Sequence, residues 1–266
     1  MIKLIAADMD GTLLDSEKRT PKEWPEVVRA LNKKGIRFVI ASGRQAATLV
    51  RDMGDLADEL TYMAENGAVI VEGGRQLYVD PIDRDVVRRV IEKTRGLQGI
   101  HPVLCCPDRA VISEHAPEEF RRNVKMYYES TEMVPDQLEA LETIGDVCKI
   151  AFFDEGDAEH HEYPILQGMF ADEMPVILSS YSWVDIMKPG THKGEGMRTL
   201  QRLLGIAPEE CMAFGDYFND IEMLESVGES YAMGNALEEV KAAAKYIAPT
   251  NDENGVMRVI KERFSL

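Results

Sequence analysis

Short unbroken apolar runs along the chain are separated by stretches in which apolar residues return every three or four positions. The runs LIAA at 4–7, IRFVIA at 36–41 and CMAFG at 211–215 are too short for helices and show no polar alternation, so they predict strands buried on both faces. Between the first two lies TPKEWPEVVRALNKKG. There Thr20 is expected to cap a helix, Pro21 to take its first position and Glu23 to complete a capping box. Trp24, Val27, Val28 and Leu31 follow at helical spacing, and Gly35 ends the pattern. SGRQAATLVRDM predicts a loop opening a helix, and LTYMAENGAVIV a strand, a turn at Asn66 and Gly67, and another strand. Buried strands alternating with amphipathic helices imply right-handed βαβ units, hence an α/β fold with a parallel sheet covered on both sides.

The texture changes after Pro81. Helical stretches such as DRDVVRRVIEKTR and PEEFRRNVKMYYE alternate with HPVLCC, RAVIS, VCKIAFFD, PVILSS and SWVDIMK, which suit antiparallel pairing. Residues 82–187 are therefore expected to form an inserted α+β domain. From HKGEGMRTLQRLLG onward the first texture resumes, so residues 1–81 and 188–266 should form one discontinuous domain.

Composition narrows the partners. The 266 residues carry a formal charge of −17, which opposes nucleic acid and anionic membrane and leaves a small molecule as the expected partner. An anionic substrate would need locally placed cations. No segment reaches the roughly 18 consecutive apolar residues of a membrane span, and the amino-terminal apolar run is too short for a signal peptide. Four cysteines without C-x-x-C spacing predict free thiols in a cytoplasmic protein. Cys105 and Cys106 are expected in the core, and His160 and His161, lacking a further ligand cluster, on a solvated helix face. Monomer and dimer both remain open.

Three strands end in polar residues: Asp8, Ser42 and Asp216. In an open parallel sheet ligands bind beyond the carboxyl ends of the strands, so these side chains are expected at one site. Clustered carboxylates repel, and oxygen ligands of this kind suit Mg2+ completed by substrate phosphate. Asp8 and Asp10, with Gly11 and Thr12 supplying the turn that follows them, can face one phosphate from two sides. Asp8 then attacks phosphorus while Asp10 moves protons. Two aspartates and a phosphate dianion demand positive charge. Beyond the metal, Lys193 is the best-placed cation, and Ser42 with the Gly43 N–H can hold phosphate oxygens at a helix opening.

DMDGT at 8–12, the Ser42 of ASGR, Lys193 and GDYFND at 215–220, in that order, resemble the four motifs of the haloacid dehalogenase superfamily. The insert, ENGA at 65–68, GNA at 234–236 and TNDENGV at 250–256 resemble its Cof-type sugar-phosphate phosphatases with a large type IIB α/β cap. The resemblance covers essentially the whole chain. It implies a Rossmann-like parallel-sheet core with an inserted α+β cap, and Mg2+-dependent hydrolysis of small phosphate monoesters through an aspartyl-phosphate. It further implies Asp8, the Asp10 backbone carbonyl and Asp216 as metal ligands, and Thr12, Ser42, Gly43, Lys193 and Asn219 as phosphate-binding residues. Asp220 would position the lysine or the metal's waters. Tyr217 departs from the family, which often has glycine there. A phosphomutase using the same intermediate, a phospho-accepting receiver and a binding protein without turnover are the competing functions, and the substrate is left undetermined.

Overall fold

In the computed structural model, which describes every residue except 155 and 156, the buried run LIAAD forms the first strand, β1 (Leu4–Asp8). It is followed by α1 (Trp24–Lys33), β2 (Arg37–Ala41), α2 (Ala46–Met53), β3 (Thr61–Ala64), β4 (Val69–Glu72) and β5 (Arg75–Val79). The next elements are α3 (Arg84–Thr94), β6 (Pro102–Cys105), β7 (Ala110–Ser113), α4 (Glu118–Tyr127), β8 (Thr131–Val134), α5 (Gln137–Ala140), β9 (Lys149–Phe153), α6 (Glu162–Phe170), β10 (Val176–Ser180) and β11 (Trp183–Met187). The chain closes with α7 (Lys193–Leu204), β12 (Cys211–Gly215), α8 (Ile221–Glu225), β13 (Glu229–Ala232), α9 (Glu238–Ala243), β14 (Tyr246–Ile247) and α10 (Gly255–Phe264). By compactness the residues group into Met1–Gly43, Asp52–Tyr78 and His192–Leu266 as one unit, and Arg44–Arg51 with Val79–Thr191 as the other.

The first unit is built on an eight-stranded sheet of order β14-β13-β12-β1-β2-β3-β4-β5. β14, β13, β12, β1, β2 and β3 pair in parallel and β3 with β4 antiparallel. Register decides what meets at the strand ends. Ala7 lies beside Phe214, and Asp8 beside Ala41, so Ser42 and Asp216 each emerge one residue beyond a neighbour of β1. On α1 the buried residues are Trp24, Val27, Val28 and Leu31, the expected face, with Trp24 edge-on to Phe38 at 4.7 Å. The helix starts later than the expected cap at Thr20: Glu23 is its N-cap and Pro25 lies in its first turn. Proline explains the shift. A helix begun at Pro21 would need an N–H from Pro25 to bond residue 21, which proline lacks, so only a start that leaves Pro25 in the first turn is unbroken.

The second unit holds a six-stranded sheet of order β10-β11-β9-β6-β7-β8. Alternation along the strands sends Leu104, Ile150, Phe152, Val184 and Ile186 to one core with residues of α3 and α6. Val103, Cys105, Ala151, Phe153 and Trp183 go to another with Phe120 and Val124 of α4. The expected antiparallel pairing holds for β6, β7, β9, β10 and β11, whereas β8 runs parallel to β7 because α4 crosses between them. Helix α2 is tied to this unit: the Gln45 amide exchanges two hydrogen bonds of 3.1 Å with the Ser130 backbone, and Thr48 bonds the backbone of Tyr127 and Glu129. All four cysteines are buried and in the thiol form. His160 and His161 are exposed as expected but precede α6 instead of lying on it, beside Asp157 and Asp154 respectively. Among the described residues no helix is long and apolar enough to cross a membrane.

Candidate active site

At the carboxyl ends of β1 and β12 the chain gathers Asp8, Asp216 and Asp220, together with Lys193 from the start of α7. Lys193 opens α7, and its N-terminal turn comes this close because glycines follow it. A Cβ on Gly194 would lie 2.5 Å from the Glu222 carbonyl oxygen of α8. The Lys193 ammonium, on a residue only 1% exposed, donates to Asp8 Oδ1 at 2.6 Å and to Asp220 Oδ1 at 2.7 Å. Asp220 is wholly buried, and its other oxygen accepts the backbone N–H groups of Asp216 and Tyr217 at 3.0 and 3.1 Å. One carboxylate thus fixes both the lysine and the loop that presents Asp216.

Asp216 is braced from the other side. The Thr12 hydroxyl donates to Asp216 Oδ1 at 2.6 Å, so the structure engages Thr12, expected to bind phosphate, with a carboxylate. Gly11, at φ +81°, lies so close that a Cβ there would collide with the same carboxylate. The loop carrying these residues is held from behind: Asn235 donates to the Gly11 carbonyl at 2.8 Å and Asn251 to the Leu14 carbonyl at 2.9 Å.

Charge is unbalanced. Carboxylate oxygens of Asp8, Asp216 and Asp220 lie within 4.8 Å of one another, with one ammonium among them. Burial pushes the Asp8 carboxyl well above the ordinary range, with Lys193 opposing and Asp220 and Asp216 adding to the rise. Burial likewise pushes Asp216 up to about 6, against the Thr12 hydrogen bond. Burial works against the Lys193 charge, but Asp220 and Asp8 more than offset it and hold its pKa above the usual lysine value. Crowded, partly dehydrated carboxylates of this kind fit a hard divalent cation. Asp220 has spent its oxygens on Lys193 and two N–H groups, which leaves Asp8 and Asp216 as the better ligands of the three.

The remaining expected residues lie around this centre. Asp10 is partly exposed and pairs with Lys18 at 2.7 Å, a residue the sequence pattern does not single out. Ser42 is buried at the end of β2, its N–H bonding the Met63 carbonyl and its carbonyl accepting from the Asn66 N–H. A Cβ on Gly43 would press on the Asn66 amide at 3.1 Å. Asn219, expected to contact phosphate, donates instead to Asn66 Oδ1 at 3.2 Å. Tyr217, where the family often has glycine, sits at φ −123°, so its backbone needs no glycine, and its side chain is exposed against Phe218. The structural roles of Asn235 and Asn251 are signalled only by the resemblance of GNA and TNDENGV to the family, whereas Asn66 also falls in the turn read from the sequence pattern.

The sequence pattern of the haloacid dehalogenase-like hydrolases matches residues 5–260. The chain belongs to that family. It is 35% identical over 260 residues, 97% of this chain and 95% of the other, to 5-amino-6-(5-phospho-D-ribitylamino)uracil phosphatase YbjI of Escherichia coli. Its fold matches a crystal structure from Eubacterium rectale at TM-score 0.87 and 29% identity, covering 99% of each chain. It also matches the HAD subclass IIB sugar phosphatase BT4131 at TM-score 0.79 and 26% identity, covering 99% of this chain and 100% of that one. The family member described here is thus a phosphatase of the Cof type, with the parallel-sheet core and inserted cap domain of its relatives.

Proposed function

We propose that this phosphatase hydrolyses a small phosphate monoester of a sugar or polyol, with Mg2+ held by Asp8, Asp216 and the Asp10 backbone carbonyl. The observation that carries the proposal is the buried chain Asp8, Lys193, Asp220 beside Asp216, at the ends of the adjacent parallel strands β1 and β12. When bound, the metal supplies the positive charge that lets an anionic phosphate approach anionic carboxylates. Lys193 contributes one fixed charge to the same end and steadies the attacking oxygen. Asp8 attacks phosphorus, the bond from phosphorus to the ester oxygen breaks, and Asp10 gives its proton to the departing alkoxide. Asp10 then takes a proton from water as that water attacks phosphorus. The bond from phosphorus to the Asp8 oxygen breaks, freeing phosphate and restoring the carboxylate. Ser42, the Gly43 N–H, Thr12 and Asn219 are assigned to the phosphate, Thr12 and Asn219 exchanging their present partners for it. Asp220 positions Lys193.

Residues 82–187 are assigned the role of the cap, and 1–81 with 188–266 that of the catalytic core. A cytoplasmic location is supported by four cysteines that are all in the thiol form. The name of the E. coli relative makes 5-amino-6-(5-phospho-D-ribitylamino)uracil the first ester to test. The decisive experiment measures phosphate release from a panel of phosphorylated sugars, polyols and that compound, with Mg2+ and with chelator, in wild type and Asp8→Asn. Turnover should require Mg2+ and vanish in Asp8→Asn. Full turnover in that variant would remove Asp8 as nucleophile, and an isomeric phosphorylated product without released phosphate would replace hydrolase by mutase.

A further inference from the structure

The stretch DSEKRT at 15–20, between the catalytic loop and α1, forms a tight turn around Asp15. Asp15 Oδ1 accepts the backbone N–H groups of Glu17 and Arg19, both at 2.9 Å, and Oδ2 accepts the Arg19 guanidinium at 2.9 Å. Its own N–H bonds the Arg19 carbonyl and its carbonyl accepts from the Lys18 N–H. The Ser16 N–H is anchored on Asp252, 236 residues away in sequence, at 2.8 Å. At the top of this turn Lys18 takes φ +62°, a conformation that side-chain-bearing residues seldom adopt. That conformation delivers its ammonium to Asp10 Oδ1 at 2.7 Å.

An ion pair with the lysine side chain 63% exposed contributes little to stability. Stability therefore does not account for a left-handed lysine held by so many bonds. Strained backbone that the surroundings over-determine tends to gather where a side chain must be aimed. Here it is aimed at the carboxyl to which proton transfer is assigned. The stretch lies outside every motif singled out in the sequence, yet its lysine meets Asp10.

We propose that Lys18 is a positioning residue for Asp10, holding its carboxyl in the orientation that delivers a proton to the leaving-group oxygen. The inference rests on the phosphatase mechanism above, and its consequence depends on the ester. An alkoxide leaves only with a proton, whereas p-nitrophenolate is stable enough to leave without one. Because kcat/KM reports the steps up to formation of the aspartyl-phosphate, the ratio of kcat/KM on D-ribitol 5-phosphate to that on p-nitrophenyl phosphate isolates the protonation.

That ratio should fall about tenfold in Lys18→Met, a fraction of what a general acid supplies. It should recover largely in Lys18→Arg, which restores a cation to the same turn. Asp15→Ala, which releases the turn without touching Asp10, should lower the ratio as well. A ratio equal to wild type in both Lys18→Met and Asp15→Ala would overturn the proposal. So would a rise in Lys18→Met, which would mean that the pair holds Asp10 back. Hydrolysis of both esters by wild type, dependent on Asp8, keeps the phosphatase mechanism standing whichever way the ratio moves. Absence of Asp8-dependent phosphate release by wild type from p-nitrophenyl phosphate and from every ester of the panel above would remove the mechanism and this proposal together.

Discussion

Replacing Asp220 by asparagine tests the buried centre at its most constrained point. The carboxylate accepts from Lys193 on one oxygen and from two backbone N–H groups on the other. The amide cannot serve both sides. With its oxygen toward Lys193, its NH2 faces the N–H groups of Asp216 and Tyr217; turned round, its NH2 faces an ammonium. Removing one member of a buried ion pair costs about 3–5 kcal/mol, and that figure already contains the orphaned donors. At roughly 2–4 °C per kcal/mol for a chain of this size, the melting temperature should fall by about 6–20 °C. Turnover should fall with it, since Lys193 and the Asp216 loop lose their common anchor. A double-mutant cycle with Lys193→Met separates the pair from its surroundings. With the ammonium gone the introduced amide has less to oppose it, so the double variant should lose less than the sum of the singles by about 1 kcal/mol or more. Calorimetric melts and denaturant titrations of the four proteins provide the measurement. An Asp220→Asn protein melting within a degree or two of wild type, or a strictly additive cycle, would refute the assignment of Asp220 as the anchor.

Two further perturbations test other features. Gly11→Ala places a Cβ against the Asp216 carboxylate at φ +81° and should cost about 2–4 kcal/mol in denaturant titration, with loss of turnover; an unchanged midpoint would show that the loop yields freely. Glu162, at the start of α6, is 2% exposed, its carboxyl oxygens have no hydrogen-bond partner among the described residues, and burial, helped by Asp154, pushes its pKa up to about 8. The folded protein therefore binds this proton more tightly than the unfolded chain, so its contribution is complete below about pH 4.5 and is lost as pH rises through about 8. Glu162→Gln should accordingly be more stable than wild type at pH 9 by roughly 1–3 kcal/mol, the difference shrinking toward pH 5; equal stabilities at pH 9 would mean that the carboxylate is solvated.

Much of the first unit can be read from sequence because its strands are covered on both faces and so write continuous apolar runs. Asp8, Ser42 and Asp216 become neighbours once those runs are taken as parallel strands, since each follows one directly. β8 escapes the same logic: Glu132 and Met133 are exposed, leaving no apolar run to mark it. The start of α1 is misjudged because the signals around Thr20 compete with Pro25, and a missing N–H outweighs a favourable cap. Lys18 is invisible for a different reason. Its approach to Asp10 depends on a left-handed residue and on Asp252 from near the other end of the chain, neither of which leaves a periodic signal. Asn219 shows the converse: its motif position is clear, while its partner Asn66 comes from a different turn.

The Gln45 clamp on Ser130 sets the terms on which the two units can be recombined with those of relatives. Residues 44–51 follow Ser42 and Gly43 directly, yet group with the second unit, so the boundary between units is crossed at four points along the chain. A chimera that exchanges only 79–191 would keep the bonds of Gln45 and Thr48 only where the incoming segment sets its backbone along the path that residues 127–130 take. The transplantable module is therefore discontinuous: the eight-residue piece that follows Gly43 in the chain travels with 79–191, so Gln45, Thr48 and the backbone path of 127–130 should be inherited together.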